Sequence, residues 1–243
     1  MAIRWAKVGF NQPNQNFVAA TDCSGFVACV LNTVIAPAAS DSAYAALVTD
    51  ASGNVINYQT VGHPQPFPSA DDYANWIISG EKSGLKMIAF SQMQPNQFTK
   101  GGLFSEAQPG DILAYGLPSG STDTGHVMVI NSIQKIQRGV LNPGFWKTDL
   151  NEFIDPNNTL SFYAVSVYDS SNVEHYNDQR GNASAGTTGV GRGAVLIITD
   201  AGDAPIGFMF NAGFKLLQVE QIATSLPGDL IGSIGSLAVG RIV

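Results

Sequence analysis

The sequence predicts an α+β fold in which an N-terminal helix packs on a mostly antiparallel sheet of five or six strands. Apolar residues recur at helical spacing directly after Thr21, and runs typical of strands follow from Pro109 to the end of the chain. Gly- and Pro-rich stretches separate these strand-like runs. A helix followed by a series of strands is the pattern of α+β proteins.

The first predicted helix covers residues 23–34, where apolar side chains occupy positions 26, 27, 30, 31 and 34 and so form one stripe. Thr21 or Asp22 is suited to cap its start, and Pro37 cannot continue it. A second helix follows Ser69 and extends through residue 78, with acidic residues in its first turn.

The strands are predicted by short apolar runs that glycines, prolines and polar residues bound. The turn at 200–203 joins two of these runs as a hairpin with a longer loop. The predicted strands cover residues 110–115, 126–136, 161–169, 194–199, 206–210 and 236–242. The pattern in residues 38–105 is mixed.

The composition indicates one domain and argues against several classes of partner. A chain of 243 residues fits a single large domain. The net charge is −7 and no run rich in Lys or Arg exists, which argues against nucleic acid as a partner. No apolar stretch reaches the roughly 20 residues of a membrane-spanning helix, so we expect no integral membrane segment.

The charged share of 13% is low and is commoner in extracytoplasmic proteins than in cytosolic ones. Residues 1–7 lack the apolar core of a secretory signal. We therefore expect a periplasmic or secreted protein whose signal is not part of this chain. A cytoplasmic location is the alternative.

Cys23 is the first candidate for chemistry because it stands at the start of the predicted helix. The positive end of the helix dipole favours a thiolate there, and the small neighbour Ser24 leaves room for a substrate carbonyl. The alternative is a small, buried apolar residue, which is the interpretation we give to Cys29. On one helix the two thiols would be ~9 Å apart along the axis, which is too far for a disulfide.

His126 begins a predicted strand after a flexible loop, a position from which an imidazole can project into a cleft as a general base. If this strand pairs antiparallel with the strand that ends at Asp169, that carboxylate lies beside His126 and can orient the ring. The alternatives are that Asp169 only caps a turn, and that His175 orients the ring instead. The three histidines of the chain predict no structural zinc site, and this chemistry needs no metal or organic cofactor.

Two of the five arginines, Arg180 and Arg192, flank a glycine-rich segment and could bind a substrate carboxylate through two parallel hydrogen bonds. The alternative for Arg180 is a salt bridge to Asp178 within the loop.

Three motifs resemble, in their order along the chain, those of the NlpC-type cell-wall peptidases. They are Asp-Cys-Ser-Gly-Phe-Val at 22–27, Pro-Gly-Asp-Ile at 109–112 and Gly-His-Val-Met-Val-Ile at 125–130. The resemblance implies a papain-like fold in one domain, 1–243, with the insertion at 38–105. It also implies a cysteine peptidase or amidase that cuts an amide bond in the peptide stems of peptidoglycan.

On this interpretation Cys23 attacks the carbonyl and forms a thioester, His126 is the base and Asp169 orients His126. The chain departs from the family in three respects. The aromatic–glycine segment upstream of the cysteine is absent, the interval from Cys23 to His126 is long, and no polar residue follows His126 at the family's interval. The alternatives are an acyltransferase of the same superfamily and a catalytically silent module that binds peptide or glycan.

Overall fold

A computed structural model gives the structure of most of this chain. It describes residues 23–33, 68–82, 84–94, 97–121, 123–136, 159–171, 175, 178–179, 189–210, 216–219 and 231–243. The helices are α1 (Cys23–Thr33), α2 (Ala70–Ser79) and the short 3-10 helix η1 (Phe104–Glu106). The strands are β1 (Leu85–Gln94), β2 (Gln97–Gly102), β3 (Ile112–Gly116), β4 (Gly125–Ile136), β5 (Ser161–Ser171), β6 (Gly189–Thr199), β7 (Pro205–Met209), β8 (Leu216–Gln218), β9 (Ile231–Ser233) and β10 (Ser236–Ile242).

The ten strands form one curled sheet in the order β2-β1-β10-β3-β4-β5-β6-β7-β8-β9. All neighbouring strands are antiparallel except β8 and β9, which are parallel. The part of the chain that the structure describes is therefore mostly β, and the predicted α+β, papain-like, NlpC-type fold with a sheet of five or six strands is wrong.

Sequence patterns missed four of the ten strands. β1 and β2 lie within the range 38–105 that was interpreted as an insertion, yet β1 pairs with β10 and so joins the middle of the sheet. β8 and β9 have three residues each, too few to show a periodic pattern. β6 begins at Gly189, inside a glycine-rich segment that predicted a loop.

Both predicted helices are present. α1 begins at Cys23, as the apolar stripe predicted, and its expected caps Thr21 and Asp22 lie outside the described residues. α2 has the predicted cap: the Ser69 hydroxyl accepts a hydrogen bond from the Asp72 N–H at 3.2 Å, and the Asp72 carboxylate accepts from the Ser69 N–H at 2.7 Å. Such a reciprocal capping box satisfies two N–H groups that a helix start leaves without partners.

The core lies on both faces of the sheet, and β3 is buried throughout. Ile112 and Ala114 belong to an apolar cluster that also contains residues of α1 and α2. Leu113 and Tyr115 belong to a second cluster, on the opposite face, with residues of β4 to β7. Because successive side chains of a strand alternate between faces, β3 separates the helices from the interior of the curled sheet.

The turn between β6 and β7 is tied to the rest of the fold by Asp203, a residue with a left-handed backbone conformation (φ 62°). Its carboxylate accepts hydrogen bonds from the Tyr163 hydroxyl at 2.7 Å, the Thr199 hydroxyl at 3.2 Å and the Ser105 N–H at 2.8 Å. Three separate elements, β5, β6 and η1, therefore meet on one half-buried carboxylate.

We expect Asp203 to make the stability of the fold depend on pH in the acid range. Burial raises the pKa of Asp203, but the hydrogen bonds from Ser105, Tyr163 and Thr199 outweigh it and hold the pKa below its ordinary value of 3.8. The ionised form therefore stabilises the folded state, fully above the ordinary value and progressively less as the pH falls through the folded value. Urea unfolding of the protein and of Asp203→Asn over this range measures the effect. As the pH is lowered, the free energy of unfolding should fall more steeply in the unsubstituted protein than in Asp203→Asn. An equal pH dependence in the two proteins would contradict the role assigned to Asp203.

Among the described residues, no helix combines the length and the apolar character needed to cross a membrane.

Candidate active site

The hairpin of β3 and β4 positions His126. In this hairpin Gly116 pairs with Gly125 and Tyr115 pairs with His126, so the tyrosine and the imidazole are cross-strand neighbours. Gly125 has φ +112°, and a Cβ added there would lie 2.0 Å from the Tyr115 carbonyl oxygen. Only glycine fits such a position. His126 therefore enters β4 at a fixed point and is buried.

The antiparallel pairing of β4 with β5 brings Asp169 to His126. Val129 pairs with Tyr168, so the start of β4 lies beside the end of β5. The His126 Nε2 is 2.6 Å from the Asp169 Oδ2, and the aspartate is fully buried. The contact that the sequence predicted is present, while the catalytic role of Asp169 stays a prediction.

His175, which the sequence left as an alternative orienter, contacts the same carboxylate oxygen. Its Nε2 is 3.0 Å from the Asp169 Oδ2. Its backbone N–H donates to the Asp178 Oδ2 at 3.0 Å, and its Nδ1 lies 3.8 Å from that oxygen. A Cβ on Gly193 would lie 2.4 Å from the Cβ of His175, so the glycine on β6 makes the space in which this histidine lies. The two imidazoles thus converge on Asp169 rather than compete for it.

Cys23 completes the site from the other side of His126. It is half-buried at the first residue of α1, and its thiol is hydrogen-bonded to the His126 ring. Because Nε2 contacts Asp169, Nδ1 is the ring nitrogen left to face the thiol. The resulting chain of polar groups runs from Cys23 through His126 and Asp169 to His175.

The charges along this series of polar groups stabilise one another. Burial lowers the pKa of His126, but the negative charge on Cys23 and the hydrogen bonds to Asp169 and Cys23 outweigh it and raise the pKa to about 10. Burial raises the pKa of Asp169, yet its contacts with His126 and His175 hold that pKa well below the ordinary range. The arrangement therefore favours the protonated form of His126 beside an ionised Asp169.

Aromatic rings enclose the two imidazoles. The Phe210 ring is nearly perpendicular to both, with centroids 5.3 Å from His126 and 5.0 Å from His175. The Tyr115 ring lies 6.3 Å from that of His126. Burial, and then the negative charges of Cys23, Asp123 and Asp169, raise the pKa of Tyr115, so its hydroxyl keeps its proton.

Sequence reasoning missed Tyr115 and Phe210 as parts of the site. The register of the β3–β4 hairpin could have identified Tyr115, since it follows from pairing Gly116 with Gly125. No local pattern points to Phe210, because it follows β7, and β5 and β6 lie between β7 and β4 in the sheet.

Of the three residues predicted to bind substrate, the structure places only Ser24 next to Cys23. Ser24 is buried in the first turn of α1, next to Cys23. Arg180 lies outside the described residues. Arg192 pairs with Tyr168, one residue away from Asp169, so alternation along the strand puts its side chain on the opposite face of the sheet from that carboxylate. The structure does not bring Arg192 to the face of Asp169, and its part in substrate binding stays a prediction.

The Pro-Gly-Asp-Ile motif has a structural explanation in this fold. Gly110 has φ +95° and turns the chain into β3. The buried carboxylate of Asp111 accepts hydrogen bonds from the Arg241 Nε at 2.8 Å and from its terminal nitrogen at 2.9 Å. The motif therefore joins the start of β3 to the end of β10 rather than entering the site.

The same site contains a set of atoms able to hold a metal ion. One ring nitrogen of His126, one ring nitrogen of His175 and one carboxylate oxygen of Asp169 all lie within 4.8 Å of one another, and all three residues are buried. No comparable group of three occurs elsewhere in the described ranges.

Comparisons with known proteins assign no family or activity. No family model matches the chain. It is similar to the uncharacterized protein R653 of Acanthamoeba polyphaga mimivirus, with 25% identity over 216 residues that cover 86% of this chain and 78% of that protein. No solved structure matches.

Proposed function

We propose that this chain is a cysteine hydrolase that cleaves an amide bond, with Cys23 as nucleophile, His126 as base and Asp169 as the group that orients His126. One observation carries the proposal: the Cys23 thiol, the His126 ring and the buried Asp169 carboxylate form a continuous hydrogen-bonded chain. A nucleophile next to a base that a third group orients is the general signature of covalent catalysis.

In the first half of the reaction, the thiol proton passes to Nδ1 of His126 before the attack, which the raised pKa of the ring favours, and the sulfur of Cys23 then attacks the amide carbonyl. The Nε2–H of His126 donates to Asp169, which keeps the lone pair of the neutral ring on Nδ1 and stabilises the imidazolium once it forms. The backbone N–H of Cys23 lies at the positive end of α1, where it can donate to the oxyanion.

The tetrahedral intermediate then collapses to a thioester, and the leaving amine takes the proton from His126. In the second half, His126 removes a proton from water, and the resulting hydroxide attacks the thioester. Cys23 leaves as thiolate and recovers its proton from His126, and the carboxylic acid is released. The atoms balance as one water consumed for each amide bond cut.

The substrate class rests on the motifs rather than on the fold. The three motifs that include Cys23 and His126 resemble those of the NlpC-type peptidases, so we propose a peptide stem of peptidoglycan as substrate. The mostly β architecture differs from the papain-like fold that the resemblance implied, so the assignment depends on the residues alone.

Two measurements test the proposal. The first is the rate at which iodoacetamide alkylates Cys23 at mildly acidic pH, with fragment spectra that distinguish Cys23 from Cys29. We expect fast labelling that slows in His126→Ala. The second is incubation with defined peptidoglycan fragments, in which the products should gain the mass of one water and Cys23→Ala should form none.

The outcomes separate the alternatives. Products that incorporate an added amine instead of water would replace hydrolysis by acyl transfer. Labelling of Cys23 at the rate of an ordinary thiol, unchanged in His126→Ala, would overturn the enzyme proposal and favour a binding module.

A further inference from the structure

We propose that His126, Asp169 and His175 form a binding site for a divalent transition-metal ion such as Zn²⁺, and that the bound ion blocks the base function of His126. The binding site stands on geometry alone, whereas the inhibitory effect rests on the function proposed above.

The observation that points to a cation is the second imidazole. A hydrolase of the Cys–His–Asp type needs only one imidazole on the carboxylate. Here the Nε2 atoms of His126 and His175 lie 2.6 Å and 3.0 Å from the same Asp169 oxygen. Two imidazole nitrogens and one carboxylate oxygen, all buried, are a common set of three protein ligands for a transition-metal ion.

The distances are close to those of a loaded site. Zinc binds nitrogen and oxygen at about 2.0–2.2 Å, so tetrahedral ligand atoms are roughly 3.3–3.6 Å apart. Small rotations of the imidazoles, whose ring centroids are 6.4 Å apart, would open the two contacts with Asp169 to this separation.

The surroundings also suit a metal. Histidine ligands usually direct their second ring nitrogen at a carboxylate, which fixes the ring. The His175 Nδ1 lies 3.8 Å from the Asp178 Oδ2, and the absence of a Cβ on Gly193 makes room for this ring. The Phe210 ring contributes an apolar wall beside both imidazoles.

Metal binding and base catalysis exclude each other because a neutral imidazole has one nitrogen with a lone pair. In the hydrolase, His126 carries its proton on Nε2 and receives the thiol proton on Nδ1. An ion on Nε2 requires the other tautomer of the neutral ring, so the single ring proton moves from Nε2 to Nδ1. Nδ1 then cannot accept the proton of Cys23, so the thiol stays weakly reactive.

Calorimetric titration of metal-free protein with Zn²⁺ tests the site without using the thiol. We expect one equivalent to bind, with affinity at least roughly 100-fold lower in His175→Ala and roughly 10-fold lower in Asp178→Asn. Cys23→Ser should keep the affinity, and Co²⁺ in the site should show no charge-transfer band from a thiolate. Circular dichroism checks that each variant is folded, and His175→Gln replaces His175→Ala if that variant is not.

The alkylation rate of Cys23 tests the consequence. Saturating Zn²⁺ should slow labelling at least 10-fold in the unsubstituted protein, while His175→Ala at the same Zn²⁺ concentration should keep its own metal-free rate. A titration that shows no stoichiometric binding, or a site lost in Cys23→Ser and kept in His175→Ala, would overturn the proposal. The hydrolase proposal fails on a different result, namely labelling of metal-free protein that does not depend on His126.

Discussion

Asp169→Asn should lower turnover by roughly 10²–10⁴-fold, because the substitution removes the negative charge that stabilises the His126 imidazolium. Both imidazoles contact a single oxygen of Asp169, which is fully buried. Water therefore cannot reach this position to stabilise the imidazolium in place of the lost carboxylate. The amide of asparagine can also donate to Nε2, and that would move the ring proton to Nδ1, where it faces Cys23. The alkylation rate of Cys23 should fall in parallel and can be measured before any substrate is known.

Asp178→Asn is the matched control for this prediction. Asp178 contacts His175 and not His126, so the same change of charge, two residues further from the thiol along these contacts, should cost less than 10-fold. Equal labelling rates in Asp169→Asn and in the unsubstituted protein would remove Asp169 from the proposed triad. If His175→Ala alone slowed labelling, His175 would be the orienting group instead.

Gly125→Ala should both destabilise the protein and displace His126. The new Cβ would meet the Tyr115 carbonyl oxygen at 2.0 Å, and φ +112° is a conformation that residues with a side chain rarely adopt. We expect the free energy of unfolding to fall by roughly 3–5 kcal/mol, since backbone strain is joined by a clash with backbone that cannot move away. Urea unfolding measures this loss, and the alkylation rate of Cys23 reports the displaced imidazole.

Gly120→Ala separates the two causes. Gly120 lies in the loop that leads to Gly125 and has φ +90°, but nothing lies within 4 Å of a Cβ added there. This variant should lose only the strain contribution, roughly 1–3 kcal/mol, and should keep the labelling rate of Cys23. Equal losses in the two variants would show that the contact with Tyr115 does not restrict His126.

Local sequence patterns predicted the elements that have a strong local signal. The apolar stripe located α1, Ser69 located the start of α2, and continuous apolar runs located most strands from β3 onward. The strands that were missed show the limit of this reasoning. β1 carries lysine, serine and glutamines among its apolar residues, and it is a strand because β2 and β10 pair with it on either side.

The part of the candidate site that depends on a single strand pairing could be predicted from the sequence. Antiparallel pairing of two neighbouring strands was enough to place Asp169 beside His126, and the motif with Cys23 was recognisable in the sequence. His175 was visible only as a rival to Asp169, because nothing local indicates that two histidines share one carboxylate oxygen. The three histidines of the chain therefore predicted no metal site, although two of them meet in the fold.

The sequence by itself determined a cysteine at the start of a helix and a histidine that a glycine places at the start of a strand. Helical periodicity and the backbone freedom of glycine act over a few residues, so both features are visible in short segments. Only the tertiary structure decided that ten strands form one sheet, and that His126, Asp169 and His175 converge within it. Those contacts depend on strand order and register, which arise from burying apolar side chains on both faces of the sheet at once and which no single segment encodes.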